Sequence, residues 1–213
     1  MLNLSPSLLI SRVITLLIAL TVHEFSHAFV ADRFGDDTAR NAGRLTLNPL
    51  KHLDVIGSLM LLFVGFGWAK PVPINPWKLG QHSRSAVMWV SLAGPGSNLL
   101  MAIIGALVLR TGLLPTTTPA SFLPSPIAFL LTFIVINLLL MLFNMIPVAP
   151  LDGEKILEYL LPEPLRNGFV KIQPYGPLIL LLLMFVLPRF GIDIISWFMN
   201  PALSGLSKIL IGG

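Results

Sequence analysis

Two histidines and a glutamate in the first fifth of the chain have the spacing of a metal site. The segment reads His23-Glu24-Phe25-Ser26-His27, which is the pattern H-E-x-x-H. Residues four apart lie on one face of an α-helix, so both imidazoles can reach a single ion. Glu24 lies beside them, where it can take a proton from metal-bound water instead of binding the ion. The motif therefore predicts zinc-dependent hydrolysis, with Glu24 as the general base.

The sequence around this motif is strongly apolar. Of its 213 residues, 54% are hydrophobic and only 11% are charged, and the mean hydropathy is +0.82. Soluble domains carry about 25% charged residues, so this chain has too few charges to cover a water-facing surface. We predict an all-α polytopic integral membrane protein that forms a single domain over residues 1–213. Polar residues inside such helices are functional by default, although they can also hold helices together by hydrogen bonds.

Apolar runs place the motif on the first of about 4–6 membrane segments. Spans are predicted at residues 8–31, 85–109 and 127–146, followed by a short helix at 152–161 and a further apolar stretch at 177–187. The core is expected over about 8–161, and further membrane segments over about 175–211. Whether the last part of the chain spans the membrane or lies at its surface is left open.

The connection between the first two spans has two unusual parts. Residues 54–68 are apolar and glycine-rich but too short for a span, which needs about 20 helical residues, so they are predicted to be re-entrant. Residues 68–76 contain alternating prolines, which remove amide donors and disfavour helix. This stretch is predicted to be a short extended strand with a free edge near the active site.

The basic residues indicate the orientation of the chain. Ten of them lie in the connection after the first span or after the third span: Arg33, Arg40, Arg44, Lys51, Lys70, Lys78, Arg84, Lys155, Arg166 and Lys171. The positive-inside bias then predicts an outside N-terminus and an active site nearer the cytoplasmic side. The net charge of +4 belongs to these loops and does not predict a nucleic-acid partner. The oligomeric state is left open.

The third metal ligand has to come from another part of the chain. There is no cysteine, so nitrogen and oxygen must supply the ligands. An extended H-E-x-x-H-x-x-G-x-x-H signature is excluded by Arg33, and no glutamate lies between the motif and Glu154. Asp152 is favoured, because an apolar span ends before it in a proline-bounded turn, at a depth that matches His27. The other candidates are His52, Asp54, His82 and several aspartates.

Three segments together resemble the landmarks of the site-2 protease family. They are His23–His27, Gly94-Pro95-Gly96-Ser97-Asn98, and the decapeptide N-M-I-P-V-A-P-L-D-G at 144–153. Residues 43–57 are similar to the compact prokaryotic branch, and the likeness covers about 8–161. The chain departs from the family at Ala149, where members often have proline. It also shows neither a PDZ nor a CBS domain.

The resemblance implies an intramembrane zinc metalloendopeptidase of a prokaryotic inner membrane. By carry-over, His23, His27 and Asp152 bind one zinc ion per chain, and Glu24 is the general base. The implied partners are the lipid bilayer and a membrane-spanning protein or peptide, cleaved to release a regulator or to clear remnant peptides. A metal or ion carrier and an inactive scaffold are the alternatives. The lack of an inverted repeat argues against the first, and the intact motif residues argue against the second.

Several other polar residues have two interpretations each. Asn98 is predicted either to donate to the oxyanion during catalysis or to form an interhelical hydrogen bond. Residues 72–75 either add to a substrate as a strand or form an ordinary surface loop. Asn144 is expected to hold the turn before Asp152, and His82 to lie at the surface. The pair His52 and Asp54 either braces the re-entrant segment, or holds a metal ligand in place by hydrogen bonding, or is a solvated pair at the interface.

Overall fold

The protein is a bundle of apolar helices. The computed structural model describes residues 5–54, 57, 69–115 and 122–212. Within these residues it contains helices but no β-strand, which confirms the predicted all-α polytopic class. In this part of the chain, five helices are long and apolar enough to cross a membrane: Pro6–Arg33, Ala86–Arg110, Pro126–Asn144, Glu163–Phe190 and Ile194–Ile211.

The described residues form nine α-helices. They are α1 (Pro6–Arg33), α2 (Thr38–Asn41), α3 (Pro76–His82), α4 (Ala86–Arg110), α5 (Pro126–Asn144), α6 (Asp152–Leu160), α7 (Glu163–Ile172), α8 (Gly176–Leu181) and α9 (Ile194–Ile211). From α7 to Phe190 the chain stays helical, through 3-10 and π turns at Gln173–Tyr175, Leu182–Val186 and Leu187–Phe190. The stretch predicted at 177–187 is therefore part of a longer helical segment. The last part of the chain forms helix α9, which is long and apolar enough to span a membrane.

Local sequence sets where the membrane helices begin. Ser5 and Ser125 precede α1 and α5, and each serine side chain accepts a hydrogen bond from the backbone three residues ahead. Each is followed by a proline, which suits the first turn because that position needs no amide donor. Asp193 caps α9 in the same way by accepting from the Ser196 amide. These caps satisfy donors that would otherwise be unpaired at the membrane boundary.

Helices α1, α4 and α5 pack together and form the part of the bundle that positions the site. The α4–α5 contact is made through small residues of α4, including Ala102 and Ala106, against the larger Ile134 and Leu138 of α5. At Gly105 an added Cβ would lie only 3.0 Å from the Ile134 side chain. Small residues let the two backbones approach closely, which is how membrane helices gain packing energy without a hydrophobic driving force.

The chain between α2 and α4 includes an extended segment, defined here as residues 69–75. The Lys70 amide donates to the His52 carbonyl at 2.7 Å, and the Arg44 guanidinium donates to the Lys70 carbonyl. Its alternating prolines disfavour helix, but within the described residues the segment forms a single antiparallel bridge, Leu53–Ala69, and no β-strand, so the predicted strand is not formed there. The re-entrant prediction for 54–68 falls mostly outside the described residues.

Two adjacent aspartates after α1 fasten the end of the extended segment. Asp36 is fully buried and accepts hydrogen bonds from the Thr38 side chain and from the Asn75 amide, both at 2.5 Å. Asp37 accepts from the Lys78 ammonium, and this hydrogen bond lowers the pKa of the Asp37 carboxyl. These contacts hold residues 69–75 close to the C-terminal end of α1.

Candidate metal centre

The structure brings the three predicted ligands to one point. His23 and His27 lie one turn apart on α1, with their Nε2 atoms separated by 3.0 Å. The carboxylate of Asp152 lies 3.2 Å from Nε2 of His23 and 3.3 Å from Nε2 of His27. All three residues are buried or half-buried. No other group of three or more histidine or acidic side chains comes together in this way within the described residues.

Asp152 reaches the histidines because the chain turns sharply after α5. Helix α5 ends at Asn144, and a non-helical turn leads to the extended Leu151, after which Asp152 begins α6. Gly153 lies directly against this turn, since an added Cβ would be 2.3 Å from the Met145 carbonyl oxygen. A side chain at position 153 would displace the turn and the carboxylate beside it. The turn is thus specified by glycine as well as by the prolines visible in the sequence.

Hydrogen bonds from α4 fix which nitrogen of each imidazole faces the ligand cluster. The Nδ1–H group of His27 donates to the Val90 carbonyl at 2.7 Å, and that of His23 donates to Oδ1 of Asn98 at 2.6 Å. With both Nδ1 atoms protonated, both Nε2 atoms carry lone pairs. Partners of this kind orient metal-binding histidines in known sites and strengthen the ligand.

This donor set fits a zinc ion. Two nitrogen lone pairs and a carboxylate converge within about 3 Å of one another, and without a cation between them they would repel. A tetrahedral ion with bonds of about 2.0–2.1 Å holds neighbouring ligand atoms about 3.3 Å apart, which matches the observed separations. Three protein ligands leave a fourth position for water or substrate, as in catalytic zinc sites.

The histidines also need an unusually close approach of α4. At Gly94 an added Cβ would lie 2.4 Å from Nε2 of His27 and 2.6 Å from Nε2 of His23. Any side chain there would occupy the space in which the two ligand atoms meet. The close approach of α4 to the two histidines therefore requires glycine at position 94. The following Pro95 lies inside α4, where it removes one helical hydrogen bond.

Glu24 lies next to the ligands on α1 and contacts the extended segment. Its side chain is buried, and Oε2 accepts a hydrogen bond from the Val72 amide at 3.0 Å. A single donor leaves the other carboxylate oxygen able to accept a proton. The backbone of the extended segment thus holds the predicted general base in place. Sequence reasoning placed this segment near the site but missed this contact, because a backbone amide leaves no mark in the residue types.

The other ligand candidates lie elsewhere. His52 is buried, and its Nε2 bonds to the Thr46 carbonyl at 2.7 Å. Asp54 accepts from the Gly57 amide at 2.8 Å, and His82 packs edge-on against the ring of Phe34. Among the described candidates, only Asp152 lies beside His23 and His27.

The two predicted asparagines differ in their contacts. Asn98 is fully buried, and its amide bonds to His23, to Asn137 and to the Ala19 carbonyl. It thus forms the interhelical hydrogen bonds of the second interpretation, and its role as an oxyanion donor stays a prediction. Asn144 donates to the Leu140 carbonyl within α5 at 3.0 Å. Asn137 was missed, although an amide inside a highly apolar span is a recognisable signal.

Comparison with known proteins finds similarity to a peptidase family and to relatives named as zinc metalloproteases. The sequence profile of peptidase family M50 matches residues 118–187. YwhC of Bacillus subtilis, which carries a provisional name as a zinc metalloprotease, is 44% identical over 183 residues, covering 85% of this chain and 83% of that protein. Rip2 of Mycolicibacterium smegmatis, named in the same way, is 35% identical over 201 residues, covering 92% of this chain and 74% of Rip2. No solved structure matches the chain.

Proposed function

This chain belongs to peptidase family M50, and on that premise we propose that it is an intramembrane zinc endopeptidase acting on membrane-spanning proteins or peptides. The observation that carries this proposal is the convergence of His23, His27 and Asp152 beside Glu24, on helices apolar enough to span a membrane. A hydrolytic metal centre placed there acts on peptide bonds that lie below the lipid surface.

The residues divide the chemistry between them. His23, His27 and Asp152 would hold a zinc ion, which when bound would act as a Lewis acid and lower the pKa of water. Glu24 takes a proton from the water that attacks the scissile carbonyl. It later delivers this proton to the leaving amine as the peptide bond breaks. The Val72 amide keeps the Glu24 carboxylate in place for both transfers.

The site lies at moderate depth, toward one face of the membrane. His27 is six residues before the end of α1, or about 9 Å at 1.5 Å per residue, within a hydrocarbon core of about 30 Å. The residues between α1 and α4, together with those of α6 and α7, carry most of the basic side chains. We therefore place this face in the cytoplasm and the N-terminus outside, in a prokaryotic inner membrane, as the positive-inside bias favours.

Removal of the metal tests the proposal. The purified chain in proteoliposomes should cleave a reporter whose scissile segment lies within the bilayer. A zinc chelator should stop this cleavage, and added zinc should restore it, because only the loaded centre can activate water. Cleavage products are measured by mass spectrometry. Cleavage that continues unchanged in excess chelator, with zinc shown to be absent, would contradict the proposal.

The extended segment is the proposed docking edge for an unwound substrate. A helical substrate hides its peptide bonds, and pairing with an extended backbone would expose them. Amides two residues apart in an extended chain point to the same side, so the Ile74 amide faces the side on which Val72 contacts Glu24. Within the described part of the chain, no hydrogen bond involves the Ile74 amide. We propose that this amide donates to the substrate backbone.

Replacing Ile74 with proline tests this docking edge. Ile74→Pro removes the amide without touching the bond from Val72 to Glu24, whereas Val72→Pro would disturb the base as well. We expect cleavage of a helical membrane reporter to fall about 3- to 10-fold, the effect of one hydrogen bond, while cleavage of an unfolded peptide is kept. Ile74→Val is the matched control. Equal losses on both substrates would argue against strand addition.

A further inference from the structure

A chain of side-chain amides crosses three helices behind His23. Nδ2 of Asn137 on α5 donates to the Phe133 carbonyl at 2.8 Å, and Oδ1 of Asn137 accepts from Nδ2 of Asn98 on α4 at 3.0 Å. Oδ1 of Asn98 in turn accepts from Nδ1–H of His23 on α1 at 2.6 Å. Both asparagines are fully buried. The chain links a backbone carbonyl of α5 to a metal ligand of α1.

The Phe133 carbonyl at one end of this chain determines every donor and acceptor within it. The Phe133 carbonyl can only accept, so the NH2 group of Asn137 must face it and Oδ1 must face Asn98. Asn98 then has to present its NH2 group to Asn137, a choice that the Ala19 carbonyl at 3.4 Å supports. Its oxygen is left facing His23, whose Nδ1 must carry the proton. Nε2 of His23 is therefore unprotonated and free to bind metal.

We propose that Asn137 is a positioning residue that acts through Asn98 to fix the tautomer and the direction of His23. This inference deepens the proposed metal centre and rests on it. An amide with no partner inside a membrane helix is costly, so a fully satisfied pair keeps one orientation. His27 needs no such relay, because a backbone carbonyl already fixes its Nδ1 proton.

The proposal is tested by zinc affinity, measured by chelator competition on the detergent-purified full chain. Loss of an outer partner of a metal-binding histidine typically weakens metal binding 10- to 100-fold. We expect about 10-fold for Asn137→Leu and at least as much for Asn98→Leu. The double variant should bind no more weakly than Asn98→Leu alone, because Asn137 acts through Asn98. Thr132→Val is the matched control, since Thr132 lies on α5 and bonds only to its own helix.

A conservative variant and a spectroscopic readout separate positioning from helix packing. In an apolar interior an aspartic acid stays protonated and can both donate to Phe133 and accept from Asn98. Asn137→Asp should therefore bind zinc with an affinity within about 3-fold of that of the original chain. This loss is smaller than the 10- to 100-fold loss expected when an outer partner is removed. In protein with 15N-labelled histidine, which has only four imidazoles, the His23 signals of Asn137→Leu should show mixed tautomers.

Three results would overturn the proposal. One is wild-type zinc affinity in Asn137→Leu. Another is a double variant whose loss equals the combined losses of the single variants. The third is an unchanged His23 tautomer in Asn137→Leu. Failure of the original chain itself to bind zinc would instead remove the proposed metal centre, so the two failures are distinguishable.

Discussion

We expect Glu24→Gln to lose most of its peptide-bond cleavage while the protein keeps its zinc. Glutamine has the same size, and its side-chain oxygen can still accept the hydrogen bond from the Val72 amide, so the local structure is preserved. What it loses is the ability to take up and return a proton. General acid–base groups contribute about 10²- to 10⁴-fold to catalysis, and a loss of that size is expected in kcat. The measurement is single-turnover cleavage of a membrane-spanning reporter in proteoliposomes.

Zinc content separates this result from simple misfolding. Because Glu24 is not among the three converging ligands, the variant should retain about one zinc per chain. Glu163→Gln is a matched control, since Glu163 lies exposed at the start of α7 and the same chemical change there should leave cleavage intact. Cleavage within about 3-fold of the original rate in Glu24→Gln, far short of a general base's contribution, would remove Glu24 from this role.

We expect Asp152→Ala to lose the metal. Asp152 is the only anionic residue of the ligand cluster, and the remaining pair of neutral imidazoles cannot offset the charge of a dication in a largely apolar surrounding. We expect zinc affinity to fall by more than about 100-fold, beyond the effect of an outer partner, and cleavage to fall with it. Zinc per chain after dialysis is the measurement, made by atomic emission.

The same substitution at another aspartate serves as the control. Asp37 is exposed and paired with Lys78 at the membrane edge, so Asp37→Ala should leave zinc content unchanged. Asp152→Asn keeps the shape of the side chain and removes its charge, so it separates the electrostatic contribution from packing. Full zinc occupancy in both Asp152 variants would mean that another group supplies the third ligand.

Much of the helical framework follows from apolar run length. The predicted spans at 8–31, 85–109 and 127–146 differ by at most two residues at each end from Pro6–Arg33, Ala86–Arg110 and Pro126–Asn144. Serine and proline caps account for two of the starts. The helical segment from Glu163 was only partly predicted. Its first turns carry Arg166 and Lys171, so hydropathy alone gave just 177–187.

The three converging side chains were accessible to sequence reasoning, while the backbone groups that orient His27 and Glu24 were not. His23 and His27 are revealed by spacing, and Asp152 by elimination together with the turn before it. The Val90 carbonyl and the Val72 amide belong to the backbone, and any residue type supplies them. Their roles depend on which helix lies against α1 and at what height. That is a property of packing that periodicity does not encode.

Asn137 shows a different limit. It lies in the most apolar of the five candidate membrane helices described. The length of the apolar run therefore predicts the span without drawing attention to this one polar residue. For its partner Asn98, which belongs to a motif, the sequence predicted either an oxyanion donor or an interhelical hydrogen bond. In the structure, Asn137 is hydrogen-bonded to Asn98, and Asn98 is hydrogen-bonded to His23. A rule that asks every intramembrane amide for its partner would have identified the pair as candidates for one contact.

Zinc-edge anomalous diffraction from crystals of the full chain would show whether His23, His27 and Asp152 hold one zinc ion inside the membrane. We predict one anomalous peak per chain, within about 2.3 Å of both Nε2 atoms and of the Asp152 carboxylate. A peak elsewhere in the chain, or an Asp152 carboxylate turned away from the two imidazoles in zinc-loaded crystals, would show that these three residues do not form the metal centre.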